Sequence, residues 1–308
     1  MMTKPAERHA TRAKPERFSF TSDDGLAIAC VKWNSHLQVR AVVQIAHGLG
    51  EHIGRYGELA EALVAEGYAV YGNDHRGHGQ TARSPKRLGD FGPRGFNQLV
   101  EDLVSLRVIA KHDHPHTPYI LLGHSLGSFA AQQFALDHSH SIDGLALSGS
   151  GALDGLVRLA KSHPSNTTMN LLNATFEPAR TPFDWLSRDE AEVDAFLADP
   201  LCFPSLQTKS MESFLGASRR LSDPIEIRNV RQNLPVYVLS GSEDPVGEHL
   251  AGVRTLMDRY RNAGIMSIDH DFYVGGRHEM LHEKNRRKVI ANLLSWIACI
   301  VDRDDTLS

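Results

Sequence analysis

The feature that most constrains the fold of this chain is the stretch from Tyr119 to Ala131. An apolar run, Tyr119-Ile120-Leu121-Leu122, meets Gly123-His124-Ser125-Leu126-Gly127 and continues into Ser128, Phe129, Ala130 and Ala131. This order predicts a strand, a sharp turn and a helix. The turn fits G-x-S-x-G, in which a serine sits on a strained strand-to-helix turn with its hydroxyl exposed at the end of a sheet. Glycine at 123 and 127 has a steric reason, because a Cβ at either position would collide where the strand folds back on the helix. An ordinary βα turn would also fit these residues, so their chemistry depends on what other segments bring to the same edge.

Those segments recur with a regular rhythm. Arg17–Ser22 and Leu26–Trp33 are β-like and are separated by the turn Asp23-Asp24-Gly25. Ala41–Ala46 is a buried strand that runs into His47-Gly48-Leu49-Gly50-Glu51-His52, a glycine-rich loop able to offer backbone N–H groups to an anion. Tyr56–Glu66 has helical spacing and stops at Gly67. Tyr68–Tyr71 is a strand, Asn73–Gly79 a polar loop, and Phe96–Asp113 an amphipathic helix. Gly144–Ser148 is a further short strand. After a break the pattern resumes with the strand Val236–Ser240, a helix at Leu250–Ala263, a strand at 265–274 and a closing helix at Lys284–Val301. Strands and helices that alternate through short loops form a mostly parallel sheet with helices on both faces, and such sheets bind ligands at the carboxyl ends of their strands.

The break divides the chain. Residues 1–16 are polar, with Lys4, Arg8, Arg12 and Lys14 among prolines, and are read as a flexible tail without the apolar centre of a signal peptide. Residues 17–150 and 234–308 form the α/β core. Residues 151–233 are rich in proline, hold short helices at Arg188–Ala198 and Lys209–Leu221 and contain no convincing buried strand; an insertion of this kind is expected to act as a cap, or lid, over the strand ends. Apolar residues within it, Leu171, Leu172, Phe176, Phe183, Trp185, Phe196 and Phe214, are candidates for lining a ligand pocket or for packing the cap on the core.

Three positions complete the site. Ser240 is followed by Gly241-Ser242-Glu243-Asp244-Pro245, and the last strand by Gly275-Gly276-Arg277-His278. Each candidate, Ser125, Asp244 and His278, thus follows its own strand. A serine hydroxyl needs a base within hydrogen-bond reach, an imidazole can take and return a proton near neutral pH, and a carboxylate can fix the imidazole tautomer. Backbone N–H groups of Leu49 and Leu126 are the candidate oxyanion donors. Glu243, Asp269 and Asp271 compete with Asp244 for the acid role, but the last two lie inside the final strand.

Together, His47–Tyr56, Asn73-Asp74-His75-Arg76-Gly77-His78-Gly79-Gln80 and Gly123–Gly127 resemble the monoacylglycerol lipase and lysophospholipase branch of the α/β-hydrolase superfamily. The similarity spans 18–147 and 234–301. The chain order Ser, Asp, His is the one that superfamily uses. The resemblance implies a serine esterase acting on single-chain acyl esters with these triad and oxyanion residues; no cofactor is expected, and the cap is a candidate for peripheral membrane contact.

Other readings remain open at this stage. His278-Glu279-Met280-Leu281-His282 also fits H-E-x-x-H, the zinc metallopeptidase motif, although it follows a glycine pair directly after a strand. A carboxylesterase or amidase for small non-lipid substrates would use the same triad, and a receptor on this fold would be expected to lose one of its members. His124 is expected to point away from the serine hydroxyl, His47 and His52 to organise the glycine loop, and Asp74 and Arg76 to hold their own loop. A net charge of −4 and the lack of a basic stripe argue against nucleic acid as a ligand. No apolar run approaches the roughly 18 residues of a membrane span. The cysteines at 30, 202 and 299 lie far apart in no metal-like spacing, which suits a reducing cytoplasm; Cys30 and Cys299 are expected to be buried.

Overall fold

The structure is a computed structural model and describes residues 14–163 and 168–305. Most of the expected tail therefore lies outside the described residues, and Glu16 already opens the first strand. Eight strands make one sheet in the order β1-β2-β4-β3-β5-β6-β7-β8. They are β1 Glu16–Thr21, β2 Ala27–Trp33, β3 Ala41–Ala46, β4 Tyr68–Asn73, β5 Tyr119–His124, β6 Gly144–Ser148, β7 Val236–Gly241 and β8 Ile268–Tyr273. β1 and β2 pair antiparallel at one edge, and every pair from β4 to β8 is parallel.

Side-chain alternation along β5 shows why both faces must be covered. Tyr119 and Leu121 enter one core with Phe96, Leu99 and Leu103 of the helix Gly95–Asp113 and Phe129 and Phe134 of the helix Leu126–His138. Ile120 and Leu122 enter the other with Leu59 and Leu63 of Gly57–Ala65 and Val289, Leu293 and Ile297 of Arg286–Asp305. A strand buried on both faces cannot alternate polar and apolar residues, and β5 does not.

Register then levels the strand ends. Ala46 lies opposite Gly123, His124 opposite Ser148, Ser148 opposite Leu239 and Gly241 opposite Tyr273. Whatever follows β3, β5, β7 and β8 therefore emerges along one edge of the sheet.

Between β6 and β7 the described residues contain helices and no strand, including Leu153–Ser162, Thr168–Asn173, Glu190–Ala198 and Thr208–Gly216. The helix expected at 209–221 is split, Thr208–Gly216 being followed by Ser218–Ser222. Gly216, a poor helix residue, ends the first piece. The helix expected from Arg188 starts at Glu190, because the Asp189 side chain caps it by accepting from Ala191 N–H. β8 is shorter than expected: it is an edge strand and runs only as far as its pairing with Val236–Gly241. Cys30 is buried as expected, but Cys299 is exposed. Val289, Leu293, Trp296, Ile297 and Ile300 occupy the inward stripe of the last helix and position 299 falls beside it.

Candidate functional site

Ser125 sits between β5 and the helix Leu126–His138 with φ 51° and ψ −120°, a left-handed backbone that a residue with a Cβ adopts only under strain. The turn is held because Ser125 N–H donates to Ser148 O at 2.9 Å, while Ser125 O accepts from Ser128 N–H at 2.8 Å. The glycines permit the close packing: a Cβ on Gly123 would lie 2.4 Å from Gly127 O, and one on Gly127 would lie 2.1 Å from Ala46 O. Leu126 is the first residue of its helix, so its N–H has no carbonyl one turn back to bond.

Asp244 and His278 meet beyond β7 and β8. His278 Nδ1 and Asp244 Oδ1 are 2.9 Å apart, with both side chains buried. Burial alone would push the imidazole pKa down, but the charge and hydrogen bond of Asp244 outweigh it, so His278 titrates above the ordinary histidine value. The hydrogen bonds of the described residues include none between Ser125 Oγ and His278, although both side chains line the same pocket. Such bonds are often long in a free enzyme and tighten around substrate.

The loop after β3 closes over Ser125. A Cβ on Gly48 would approach Ser125 Cβ to 3.2 Å, so only glycine lets this backbone come so near. His47 holds the loop from below: its Nδ1–H donates to Gly48 O at 2.8 Å and its Nε2 accepts from His75 N–H at 2.9 Å. Leu49, the expected second oxyanion donor, lines the pocket beside Gly48.

Sequence reasoning missed the polar group behind this loop. Glu51 accepts from Gly48 N–H and, at 2.6 Å, from the Tyr56 hydroxyl. Arg55 donates to Glu51 Oε2 at 2.7 Å and forks onto both carboxylate oxygens of Glu279 at 2.7 and 2.8 Å. All are buried or nearly so. Burial would raise the pKa of Glu279, yet the charge and hydrogen bonds of Arg55 more than reverse this and hold it below the usual carboxylate range. The sequence identifies His124 only as a neighbour of the nucleophile. Its ring lines the pocket, lies 4.9 Å from the His278 ring and is pushed down to about 4 by burial first and His278 second. Arg76 does not merely brace its own loop, for it reaches Asp102 at 2.8 Å and Asp24 at 2.9 Å.

Ser125, His278, His124, Glu51 and Glu279, with Gly48 and Leu49, form one end of an open pocket whose other walls are mostly apolar. Of the residues proposed from sequence, Leu172, Trp185, Phe196 and Phe214 line it, whereas Leu171, Phe176 and Phe183 do not. Leu156, Ala160, Phe203, Met211 and Leu215 from the same segment line it as well, with Phe129 and Val246 from the core.

The H-E-x-x-H peptide does not form a zinc motif. It runs through a turn into the short 3-10 segment Met280–His282 instead of one α-helix, so its histidines do not share a helical face. Its members are also engaged elsewhere: His278 with Asp244, Glu279 with Arg55, and His282 Nδ1 3.4 Å from Glu192.

A family described as serine aminopeptidase, S33 matches residues 37–285, which includes the strands from β3 to β8 and every residue of the site. The chain belongs to this family. It is a serine hydrolase of the α/β-hydrolase superfamily, in the monoacylglycerol lipase branch. It is 30% identical to a monoacylglycerol lipase of Mycolicibacterium smegmatis over 286 residues, covering 91% of this chain and 95% of the relative. It is 28% identical to the monoglyceride lipase of Mus musculus, covering 89% and 88%. The solved structure of a thermostable carboxyl esterase from Bacillus coagulans, in complex with glycerol, superposes on the hydrolase with a TM-score of 0.85 at 28% identity, covering 93% of this chain and 99% of that one.

Proposed function

We propose that this hydrolase cleaves single-chain lipid esters of the monoacylglycerol class through an acyl-enzyme on Ser125. The observation that carries the reading is an apolar pocket with Ser125 and His278 together at its polar end. Ser125 Oγ attacks the ester carbonyl carbon as its proton passes to His278, and Asp244 holds the imidazole and stabilises the imidazolium. The developing oxyanion takes the N–H groups of Leu49 and Leu126. His278 then protonates the departing alcohol oxygen, and water, activated by the same imidazole, releases the fatty acid and restores Ser125.

Residues 151–233 act as the cap in this reading, and the alkyl chain lies against Leu156, Leu172, Phe196, Met211 and Phe214. Relatives of matching length that are named monoacylglycerol or monoglyceride lipases support the same substrate class. The family's aminopeptidase description fits less well. A peptide α-ammonium would need a carboxylate free to receive it, and the two that line the pocket, Glu51 and Glu279, are shared by Arg55.

A series of p-nitrophenyl esters from acetate upward, with monoacylglycerol and lysophospholipid alongside, tests the substrate class. Each buried methylene contributes about 0.8 kcal/mol, so kcat/KM rises roughly fourfold per carbon until the pocket is full. A profile that is flat beyond butyrate refutes the lipid reading. Ser125→Ala abolishes both turnover and fluorophosphonate labelling; retention of either refutes the nucleophile.

A further inference from the structure

A second group of chemically able side chains lies behind the glycine loop, outside the triad. His52, Asp199 and Cys202 each offer a ligand atom, and these atoms all lie within 4.8 Å of one another. His52 belongs to the loop after β3, while Asp199 and Cys202 belong to the turn after the helix Glu190–Ala198, where Cys202 N–H donates to Asp199 O at 3.0 Å. His52 Nε2 and Asp199 Oδ2 are already 2.9 Å apart, and the three residues are part-buried.

We infer that His52, Asp199 and Cys202 form a binding site for a borderline-soft divalent cation of the Zn²⁺ class, clamping the glycine loop to the 151–233 segment. One imidazole nitrogen, one carboxylate oxygen and one thiolate sulfur form a donor set that suits zinc and leaves a fourth tetrahedral position for water. Ligand atoms around tetrahedral zinc stand roughly 3.3–3.6 Å apart, as bond lengths of about 2.0–2.3 Å require. The His52–Asp199 pair therefore opens slightly and Cys202 closes in, movements within reach of side-chain rotation. The thiol proton passes to solvent when the sulfur ligates. Ligation through Nε2 moves the ring proton to His52 Nδ1, so the bond that Nδ1 now accepts from Gly54 N–H at 3.2 Å is given up and both groups turn to solvent.

The two segments are already in backbone contact next to Cys202 and two residues before His52, Phe203 N–H donating to Gly50 O at 2.9 Å. The site escapes a sequence search because Asp199-x-x-Cys202 is short of ligands alone, and its third donor stands 147 residues away.

Co²⁺ titrated into the full chain carrying Cys299→Ala, which removes the exposed thiol, reads the site without reference to ester hydrolysis. One equivalent is expected to give a thiolate-to-cobalt charge-transfer band and intense tetrahedral visible bands, both displaced by Zn²⁺. Cys202→Ser abolishes the charge-transfer band. Asp199→Asn, whose single amide oxygen keeps one of the two bonds that Asp199 accepts, from His52 Nε2 and from Leu201 N–H at 2.8 Å, weakens binding by more than about 100-fold, since even outer-shell partners carry 10–100-fold. Zn²⁺ raises the Tm of the parent and leaves that of Cys202→Ser unchanged. Binding without a thiolate band, binding untouched by Asp199→Asn, or no binding at micromolar metal overturns the site.

Discussion

Removing the guanidinium of Arg55 tests how the site's polar wall is held. Arg55→Met keeps most of the side-chain volume and deletes the charge that Glu51 and Glu279 share. The relevant exposures are 9% for Arg55, 2% for Glu51 and 4% for Glu279, so solvent cannot take over the role. Breaking a buried ion pair by removing one partner costs about 3–5 kcal/mol, because the remaining charge is left unpaired. With a urea m-value of about 2–3 kcal/mol per molar, the unfolding midpoint at pH 7.5 falls by roughly 1–2 M.

The pH dependence carries the sharper prediction. In the parent, the folded-state pKa values of Glu51 and Glu279 are depressed, so their contribution is present above the unfolded carboxylate value and is lost as pH falls through the folded values. Without Arg55, burial, the largest influence on each, is no longer offset by a neighbouring guanidinium and raises both above the unfolded value. The variant then binds more protons folded than unfolded, and the gap to the parent narrows as pH falls from 7.5 toward 4.5. Urea melts across this range read the difference directly, with Arg55→Met/Glu279→Gln recovering part of the loss at pH 7.5. A deficit below about 1 kcal/mol, or one that is constant with pH, would refute the shared-charge account.

Two further substitutions probe the reacting groups. Asp244→Asn lowers kcat/KM by about 10⁴ by allowing the wrong imidazole tautomer, and it moves the acid limb of the pH–rate profile to lower pH, because burial at His278 then loses its strongest opponent and only the weaker charges of Glu279 and Glu51 remain. In the parent, the raised pKa of His278 makes its stabilisation complete below the unfolded histidine value and lost as pH rises through the folded value; urea melts of Asp244→Asn should lack that alkaline slope. Gly50→Ala places a Cβ 2.0 Å from Phe203 O at φ +72°, so the loop must shift. Stopped-flow acylation is expected to slow by about 10²-fold, the scale of a misplacement near 1 Å, and an unchanged rate would show that the loop does not position the oxyanion.

How much of this was legible in the sequence follows from the range of each interaction. Ser125, Asp244 and His278 stand out because each follows an apolar strand and lies by a glycine, and local pattern reports strand ends well. A mostly parallel sheet covered on both faces was implied by alternation, its strand order was not, and the comparisons bear out the hydrolase fold. The Arg55–Glu279 fork joins residues 224 positions apart and has no local signature. The surroundings of His124 were not legible either, because its neighbours, His278 and Ser148, come from other segments. Cys299 was misjudged because composition alone does not show which face of a helix is inward. The apolar lining was half legible: Trp185, Phe196 and Phe214 reach the pocket, while Phe183 packs instead against Phe196.

The paired contact between Gly50 and Phe203 restricts how such a chain can change its substrate range. Phe203 lines the pocket, yet its backbone also fixes the carbonyl side of Gly50, so redesign there couples selectivity to rate. Leu156, Ala160, Met211 and Leu215 line the same space from helices that make no such contact. Divergence among descendants of this chain, and productive libraries built from it, should concentrate at those four positions and leave 50 and 203 alone.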